Sequence, residues 1–142
     1  MPQTEINDFN TKIIEEFRSN AGKVGGPFTG APILLLHHTG AKSGRQRVSP
    51  LAYQQVGSNF AIFGSKGGAP SHPDWYRNLL AHPETTVEVG TETLRVIARE
   101  AEGDERSEIW ERQKKLMPGF AEYEQKTTGL REIPVIVLER QS

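Results

Sequence analysis

The architecture of this chain is constrained most strongly by residues 31–64, which read APILLLHHTGAKSGRQRVSPLAYQQVGSNFAIFG. Three apolar or loosely alternating runs, at residues 33–38, 48–56 and 60–64, are typical of β-strands and are separated by glycine-containing turns. These turns are too short to hold a crossover helix, so neighbouring strands are expected to pair antiparallel. The segment therefore predicts an antiparallel sheet rather than a doubly wound parallel one.

The flanking sequence predicts four helices and three further strands. The helices are predicted at residues 5–20, 73–82, 104–117 and 120–125, and the strands at residues 86–89, 94–98 and 134–138. Pro73 is expected at the first position of the second helix and Asp104 at the N-cap of the third. Six strands with scattered helices predict an α+β fold built around a barrel or half-barrel. A length of 142 residues fits one domain spanning residues 1–142.

The composition excludes several classes of protein. Lys and Arg total 17 against 18 Asp and Glu, and the net charge of −1 argues against a nucleic-acid-binding protein. The absence of cysteine excludes disulfides and thiolate nucleophiles, and the four histidines lack metal-ligand spacing, so no metal is expected. No apolar run approaches the ~20 residues of a membrane span, and the first residues do not resemble a signal peptide. We therefore expect a cytoplasmic protein, with contact between the amphipathic first helix and a membrane surface left open.

Acidic residues are distributed unevenly along the chain. None occurs between Glu16 and Asp74, although the average acid content of the chain would give about seven in those 57 residues. The same segment holds six basic residues and 10 of the 14 glycines. Glycine allows close approach of the backbone to a ligand, and the absence of acids avoids repulsion of an anion. We interpret the segment as a buried sheet with a basic rim that faces an anion.

Residues 39–47, TGAKSGRQR, form the first candidate binding motif. Lys42, Arg45 and Arg47 lie with Ser43 and two glycines at a strand-to-strand turn. Backbone N–H groups at such a turn can form a nest for an anion, to which Lys and Arg add charge and forked donors. A solvated basic hairpin tip would have the same composition, but the acid-free surroundings favour a phosphate or carboxylate ligand.

Residues 65–79, SKGGAPSHPDWYRNL, form the second candidate motif. Lys66 and the two glycines after it form a loop that could lie flat against a planar ring, and a helix opening at Pro73 would direct its positive end to an anion. For Trp75 alone, core packing is the better interpretation. A third segment, residues 117–123, carries aromatic side chains that could roof a pocket or pack on the barrel.

Together these motifs resemble the deazaflavin-dependent nitroreductase family, small reductases that use coenzyme F420. The resemblance is carried by residues 39–51 and 65–79 at their spacing, and it extends from the first helix to the closing strand. It implies a split β-barrel like that of FMN-binding oxidoreductases, with about six mostly antiparallel strands and flanking helices. The implied activity is hydride transfer from reduced coenzyme F420 to an electron-poor small molecule: a quinone, an enone or unsaturated lactone, or a nitroaromatic compound.

The resemblance also implies roles for individual residues. The phosphate and oligoglutamate tail of the coenzyme would be held by Lys42, Ser43, Arg45 and Arg47. The ring and its linker would be lined by Ser49, Pro50, Ser65, Lys66, Gly67, Gly68 and Trp75. The acceptor would contact Tyr53, Phe120 and Tyr123, with solvent or Tyr123 supplying a proton to the product. Ala52 stands where relatives active on nitroimidazoles carry tyrosine, so reduction of nitroimidazoles is not implied.

Three alternatives stay open at this point. The chain could be an FMN-dependent reductase of the same barrel fold, a non-catalytic carrier of coenzyme F420, or an interaction module whose basic turn binds acidic residues of a partner. Three cations exceed what one phosphate needs, which favours coenzyme F420 over FMN. The sequence leaves the oligomeric state open, and a homodimer is compatible with the barrel family.

Overall fold

The computed structural model describes residues 3–23, 32–65, 68 and 71–141, with side chains described from residue 11. The helices are α1 (Gln3–Ser19), α2 (Asp74–Ala81), α3 (Gly103–Leu116) and α4 (Gly119–Thr127), and the strands are β1 (Ile33–Thr39), β2 (Gln46–Val56), β3 (Asn59–Phe63), β4 (Glu84–Val89), β5 (Glu92–Glu100) and β6 (Val135–Arg140). Every predicted helix and strand is present, with each end within two residues of its predicted position. The two glycine-containing turns of residues 31–64 indeed connect consecutive strands.

The six strands form a closed barrel in the order β1-β2-β3-β6-β5-β4. Every neighbouring pair is antiparallel, as the short connections predict. The β1–β4 seam is the shortest ladder, with two residue pairs, Leu35–Glu88 and Leu36–Val87. The α+β barrel architecture is therefore confirmed.

Alternation along each strand separates the inside of the barrel from the outside. Leu34 and Leu36 of β1 point inward and belong to the interior core, whereas Leu35 packs outside with α1. Trp75 and Leu79 of α2 pack into the same interior core. The helix thus closes the end of the barrel at which β1 finishes.

The remaining helices cover the outer faces. Phe17 of α1 packs outside with Leu35. Trp110 of α3 and Phe120 of α4 pack with Phe63 on the outer side of β3. None of the helices within the described part of the chain combines the length and the apolar character needed to cross a bilayer.

Two details of the helix ends differ from the prediction. Pro73 is the N-cap of α2 rather than its first helical residue, and Glu102, not Asp104, occupies the N-cap of α3. The cap prediction was wrong by two residues: the chain turns into α3 at Gly103, whose φ of +59° is a left-handed conformation that glycine adopts readily, so the helix entry lies before Asp104. Asp104 lies in the first turn instead, where its negative charge still interacts favourably with the helix dipole.

Candidate functional site

The connection between β1 and β2, which we call the basic turn (residues 40–45), is a compact hydrogen-bonded loop. The Gly40 N–H donates to the Arg45 carbonyl and the Gly44 N–H donates to the Gly40 carbonyl, both at 2.9 Å. The Ser43 hydroxyl accepts from the Arg45 N–H at 3.2 Å and occupies the space where a side chain at residue 40 would project. These bonds hold Lys42 and Arg45 on an exposed tip.

The basic turn lies against the start of α2. The Ala41 N–H donates to Asn78 Oδ1 at 2.9 Å, and Arg47 Nη1 is 3.6 Å from Asp74 Oδ2. The N-cap residue of α2, Pro73, makes no side-chain capping hydrogen bond, and the positive end of the helix dipole lies in the same region as the basic turn. The structure therefore brings the first motif beside the helix that begins within the second.

A buried hydrogen-bonded chain lies beneath the basic turn. His38 Nδ1 is 2.9 Å from Asn78 Nδ2, and His38 Nε2 is 2.9 Å from Ser49 Oγ. His38 is 2% exposed, and burial, reinforced by the charge of Arg47, lowers the pKa of its ring to about 4. The ring is therefore neutral at pH 7 and connects α2 to the strand that carries Ser49.

Of the glycine loop after β3, Ser65 and Gly68 are described, whereas Lys66 and Gly67 lie outside the described residues. The Gly68 N–H donates to the Ser65 carbonyl at 2.9 Å, and Gly68 has φ +84°. A Cβ at Gly68 would lie 3.4 Å from the Tyr123 Cα and only 2.7 Å from a side-chain carbon of Lys126. Gly68 thus packs directly on α4, beside the aromatic segment predicted to roof a pocket.

Arg131 holds this loop in place and was missed by the sequence analysis. Its guanidinium donates to the carbonyls of Gly64 and Ser65, each at 2.9 Å, and Nη1 donates to His72 Nδ1 at 3.0 Å. Burial, followed by the charge of Arg131, lowers the pKa of His72. No local pattern marks this role of Arg131, because Gly64, Ser65 and His72 lie at least 59 positions away from it in the sequence.

Two of the three predicted acceptor contacts come together on the outer side of the barrel. The Phe120 and Tyr123 rings meet edge to face with their centroids 5.2 Å apart. Tyr53 instead packs with the interior core, edge to face with Phe60 at 5.6 Å. It lines a cleft of about 470 Å³ near Ile33, at the end of β1 opposite the basic turn.

The remaining predicted ring contacts also lie on different faces. Ser49 joins His38 on the inner side, but Pro50 pairs with Leu35, whose side chain belongs to the outer cluster under α1. Trp75 is 6% exposed and packs in the barrel core, as its composition-based interpretation suggested. Contact of Pro50 or Trp75 with a cofactor remains a prediction.

Comparison with known proteins identifies the family. A family model described as F420H(2)-dependent quinone reductase matches residues 11–140 of this chain. The chain belongs to that family. The match confirms the resemblance found in the sequence and decides between the two candidate cofactors in favour of coenzyme F420.

Individual relatives agree with the family assignment. An F420H(2)-dependent quinone reductase of Mycobacterium tuberculosis is 35% identical over 128 residues, covering 87% of this chain and 85% of the relative. The solved structure of an F420-H2 dependent reductase is 43% identical with TM-score 0.69, covering 76% of this chain and 94% of that one. A structure described as a domain-swapped dimer is 38% identical with TM-score 0.71, covering 96% and 98%. The protein is thus an F420H2-dependent oxidoreductase with the split-barrel fold.

The donor set on the basic turn fits the coenzyme of this quinone reductase family. Neither Lys42 nor Arg45 has an ion-pair partner among the residues that the structure describes. Coenzyme F420 carries a phosphate and several carboxylates, and flexible exposed cations suit such an extended polyanion. The N-terminus of α2 adds the partial positive charge of its dipole beside them.

Proposed function

We propose that this chain binds F420H2 across the basic turn and the glycine loop and transfers its hydride to a quinone. The observation that carries the proposal is the pair of exposed cations, Lys42 and Arg45, which have no acidic partner among the described residues and lie beside the N-terminus of α2. Arg47 and Ser43 complete the proposed contacts with the phosphate and the oligoglutamate tail. Ser49, Pro50, Ser65, Lys66, Gly67, Gly68 and Trp75 are the proposed contacts with the ring and linker.

The bound deazaflavin supplies the hydride, so the residues of the chain need only bind, orient and shield the reactants. Arg131 orients the glycine loop by holding the carbonyls of Gly64 and Ser65. Tyr123, which is half-buried, lies behind Gly68 with the buried Phe120 ring packed against it, and offers an aromatic face against which a planar acceptor can stack. The Tyr123 hydroxyl is the proposed proton donor to the reduced acceptor.

Quinones are the acceptor class that the family description supports. We propose enones, unsaturated lactones and nitroaromatic compounds as further acceptors, because they too are flat and electron-poor. Tyr53 lies on the other face of the sheet from Phe120, so its proposed contact with the acceptor is the weakest of the three.

A homodimer and a single domain spanning residues 1–142 complete the proposal. Support for the dimer comes from the 38% identical relative whose solved structure is described as a domain-swapped dimer. Light scattering on the purified protein tests this part. A mass near twice 15.8 kDa is expected, and a mass near 15.8 kDa would contradict it.

The experiment that tests the activity is anaerobic mixing of the protein with F420H2 and menadione. Recovery of the absorbance of the oxidised deazaflavin should be much faster than in a protein-free control. Rapid turnover with FMNH2 and none with F420H2 would contradict the proposal. Tight binding of F420 without turnover of any quinone would leave the protein a carrier rather than a reductase.

A further inference from the structure

One backbone group determines the direction of every hydrogen bond in the buried series that links Asn78, His38 and Ser49 beneath the basic turn. The Ala41 N–H can only donate, so the Asn78 atom 2.9 Å from it must be the carbonyl oxygen Oδ1. The amide NH2 of Asn78 therefore faces His38 Nδ1, also at 2.9 Å. Because an NH2 group only donates, Nδ1 must accept and carries no proton.

The remaining ring nitrogen must then carry the proton of the neutral imidazole. His38 Nε2–H donates to Ser49 Oγ at 2.9 Å. Since that oxygen accepts from His38, the hydroxyl proton of Ser49 is directed to a different partner. Ser49 is only half-buried and lies two residues from Arg47 on β2, so that partner can come from outside the protein.

We propose that Asn78 and His38 are positioning residues that make the Ser49 hydroxyl a hydrogen-bond donor to an acceptor atom of bound coenzyme F420. This inference rests on the proposed function, which places Ser49 at the coenzyme. The hydrogen-bonded series begins at the Ala41 N–H. The donor direction of Ser49 therefore also depends on the contact between the basic turn and α2.

The variant Asn78→Asp tests the direction of these hydrogen bonds with little change in the shape of the side chain. The new carboxylate still accepts from the Ala41 N–H but has no proton to donate to His38. A singly protonated ring must then move its proton to Nδ1, so that Nε2 accepts from Ser49. The Ser49 hydroxyl would point inward and be lost to the coenzyme.

The first readout is the tautomer of His38, from two-bond ¹H–¹⁵N correlation spectra without coenzyme, at a pH where the ring carries one proton. The wild-type ring should be protonated at Nε2 and the ring of Asn78→Asp at Nδ1. A wild-type ring protonated at Nδ1 would overturn the inference, whatever the coenzyme does. A merely structural Asn78 would leave the tautomer unchanged.

The second readout is the Kd for oxidised F420, from quenching of its fluorescence. Asn78→Asp and Ser49→Ala should each raise the Kd about tenfold, and combining them should add little, because both remove the same donor. Arg77→Gln changes the net charge of the same helix by the same amount but leaves the hydrogen bonds of Asn78 and His38 intact. It should change the Kd less than twofold. An equal effect of Arg77→Gln and Asn78→Asp would assign the loss to charge alone and overturn the inference.

Substitution of His38 separates its hydrogen bonds from its packing. His38→Gln places an acceptor and a donor at similar spacing and should keep the Kd within about threefold, whereas His38→Leu should lose as much affinity as Ser49→Ala. Tight F420 binding by the wild type and unchanged affinity in Ser49→Ala and Asn78→Asp would overturn this inference alone. No F420 binding by the wild type would overturn the proposed function and the inference with it.

Discussion

Basic residues on two sides of this barrel have opposite environments. Beside α3, Arg99 Nη1 lies 2.6 Å from Glu105, and Lys114 lies within 3.1 Å of two glutamates. On the basic turn, Lys42 and Arg45 have no acidic partner within the described part of the chain. The first set is paired with neighbouring carboxylates, whereas the second has no acidic partner among the described residues and is available to an external anion.

The difference reflects where acids occur in the sequence. The paired cations belong to the acid-rich second half of the chain, whereas the basic turn lies in the 57 residues without Asp or Glu. Asp74, which ends that segment, approaches Arg47 only to 3.6 Å and is itself highly exposed. A positive surface left uncompensated attracts and orients a charged ligand, at some cost in self-repulsion. This comparison therefore separates structural cations from proposed binding cations.

The largest effect is expected from removing two cations of the site. Each charge-assisted hydrogen bond contributes about 1.5–3 kcal/mol, so Lys42→Ala with Arg47→Ala should raise the Kd for F420 at least tenfold. A fluorescence titration measures this. The matched control is Arg99→Ala with Lys114→Ala, which removes the same charge from the paired set and should leave the Kd nearly unchanged. Equal losses in both double variants would remove the distinction between the two sets.

A pH effect of about 3 kcal/mol is expected from His38, beneath the basic turn. Its folded pKa of about 4 lies below the usual 6.5, so the unfolded chain takes up the proton first as the pH falls. The contribution of neutral His38 to the free energy of unfolding is therefore fully present above pH 6.5 and is lost as the pH falls towards 4. Denaturant unfolding at several pH values should show a smaller decline in His38→Gln than in the wild type. Parallel declines would refute the role of His38.

A smaller effect is expected at Arg131, which donates to the carbonyls of Gly64 and Ser65 and to His72. Arg131→Leu leaves the carbonyls of Gly64 and Ser65 without this donor and should destabilise the protein by about 1–3 kcal/mol. It should also raise the Kd for F420 several-fold through loss of loop order. Arg131→Lys, which cannot bridge both carbonyls with a planar fork, should give intermediate values. Wild-type affinity in Arg131→Leu would show that the loop does not contact the coenzyme.

The smallest effect is expected from the exposed pair beside α3. Arg99→Gln should change the free energy of unfolding by less than about 1 kcal/mol, because solvent screens exposed ion pairs. The melting temperature and the F420 titration together check this. A loss of coenzyme affinity in Arg99→Gln would place the binding surface on the wrong side of the barrel.

Elements and local motifs could be predicted from the sequence because they depend on neighbouring residues. The short turns between the strands predicted the antiparallel pairing of β1, β2 and β3, and glycine with clustered cations marked the basic turn. The acid-free segment pointed to an anion without any knowledge of the fold.

Long-range contacts could not be predicted in this way. Arg131 acts on carbonyls 66 and 67 residues away, and Asn78 binds the Ala41 N–H across 37 residues. Tyr53 was grouped with Phe120, although the strand register directs Tyr53 into the barrel and α4 keeps Phe120 outside. The face on which a side chain lies is decided by pairing register, which single-sequence patterns do not specify.

The central claim is that the basic turn binds the anionic end of coenzyme F420. It is tested most directly by titrating the wild-type protein with intact F420 and with its deazaflavin chromophore lacking the phosphate and the glutamate tail. We expect the intact coenzyme to bind at least tenfold more tightly, with an advantage that shrinks as salt rises and nearly disappears in Lys42→Ala with Arg47→Ala. Equal affinity of the two molecules at low salt would contradict the account.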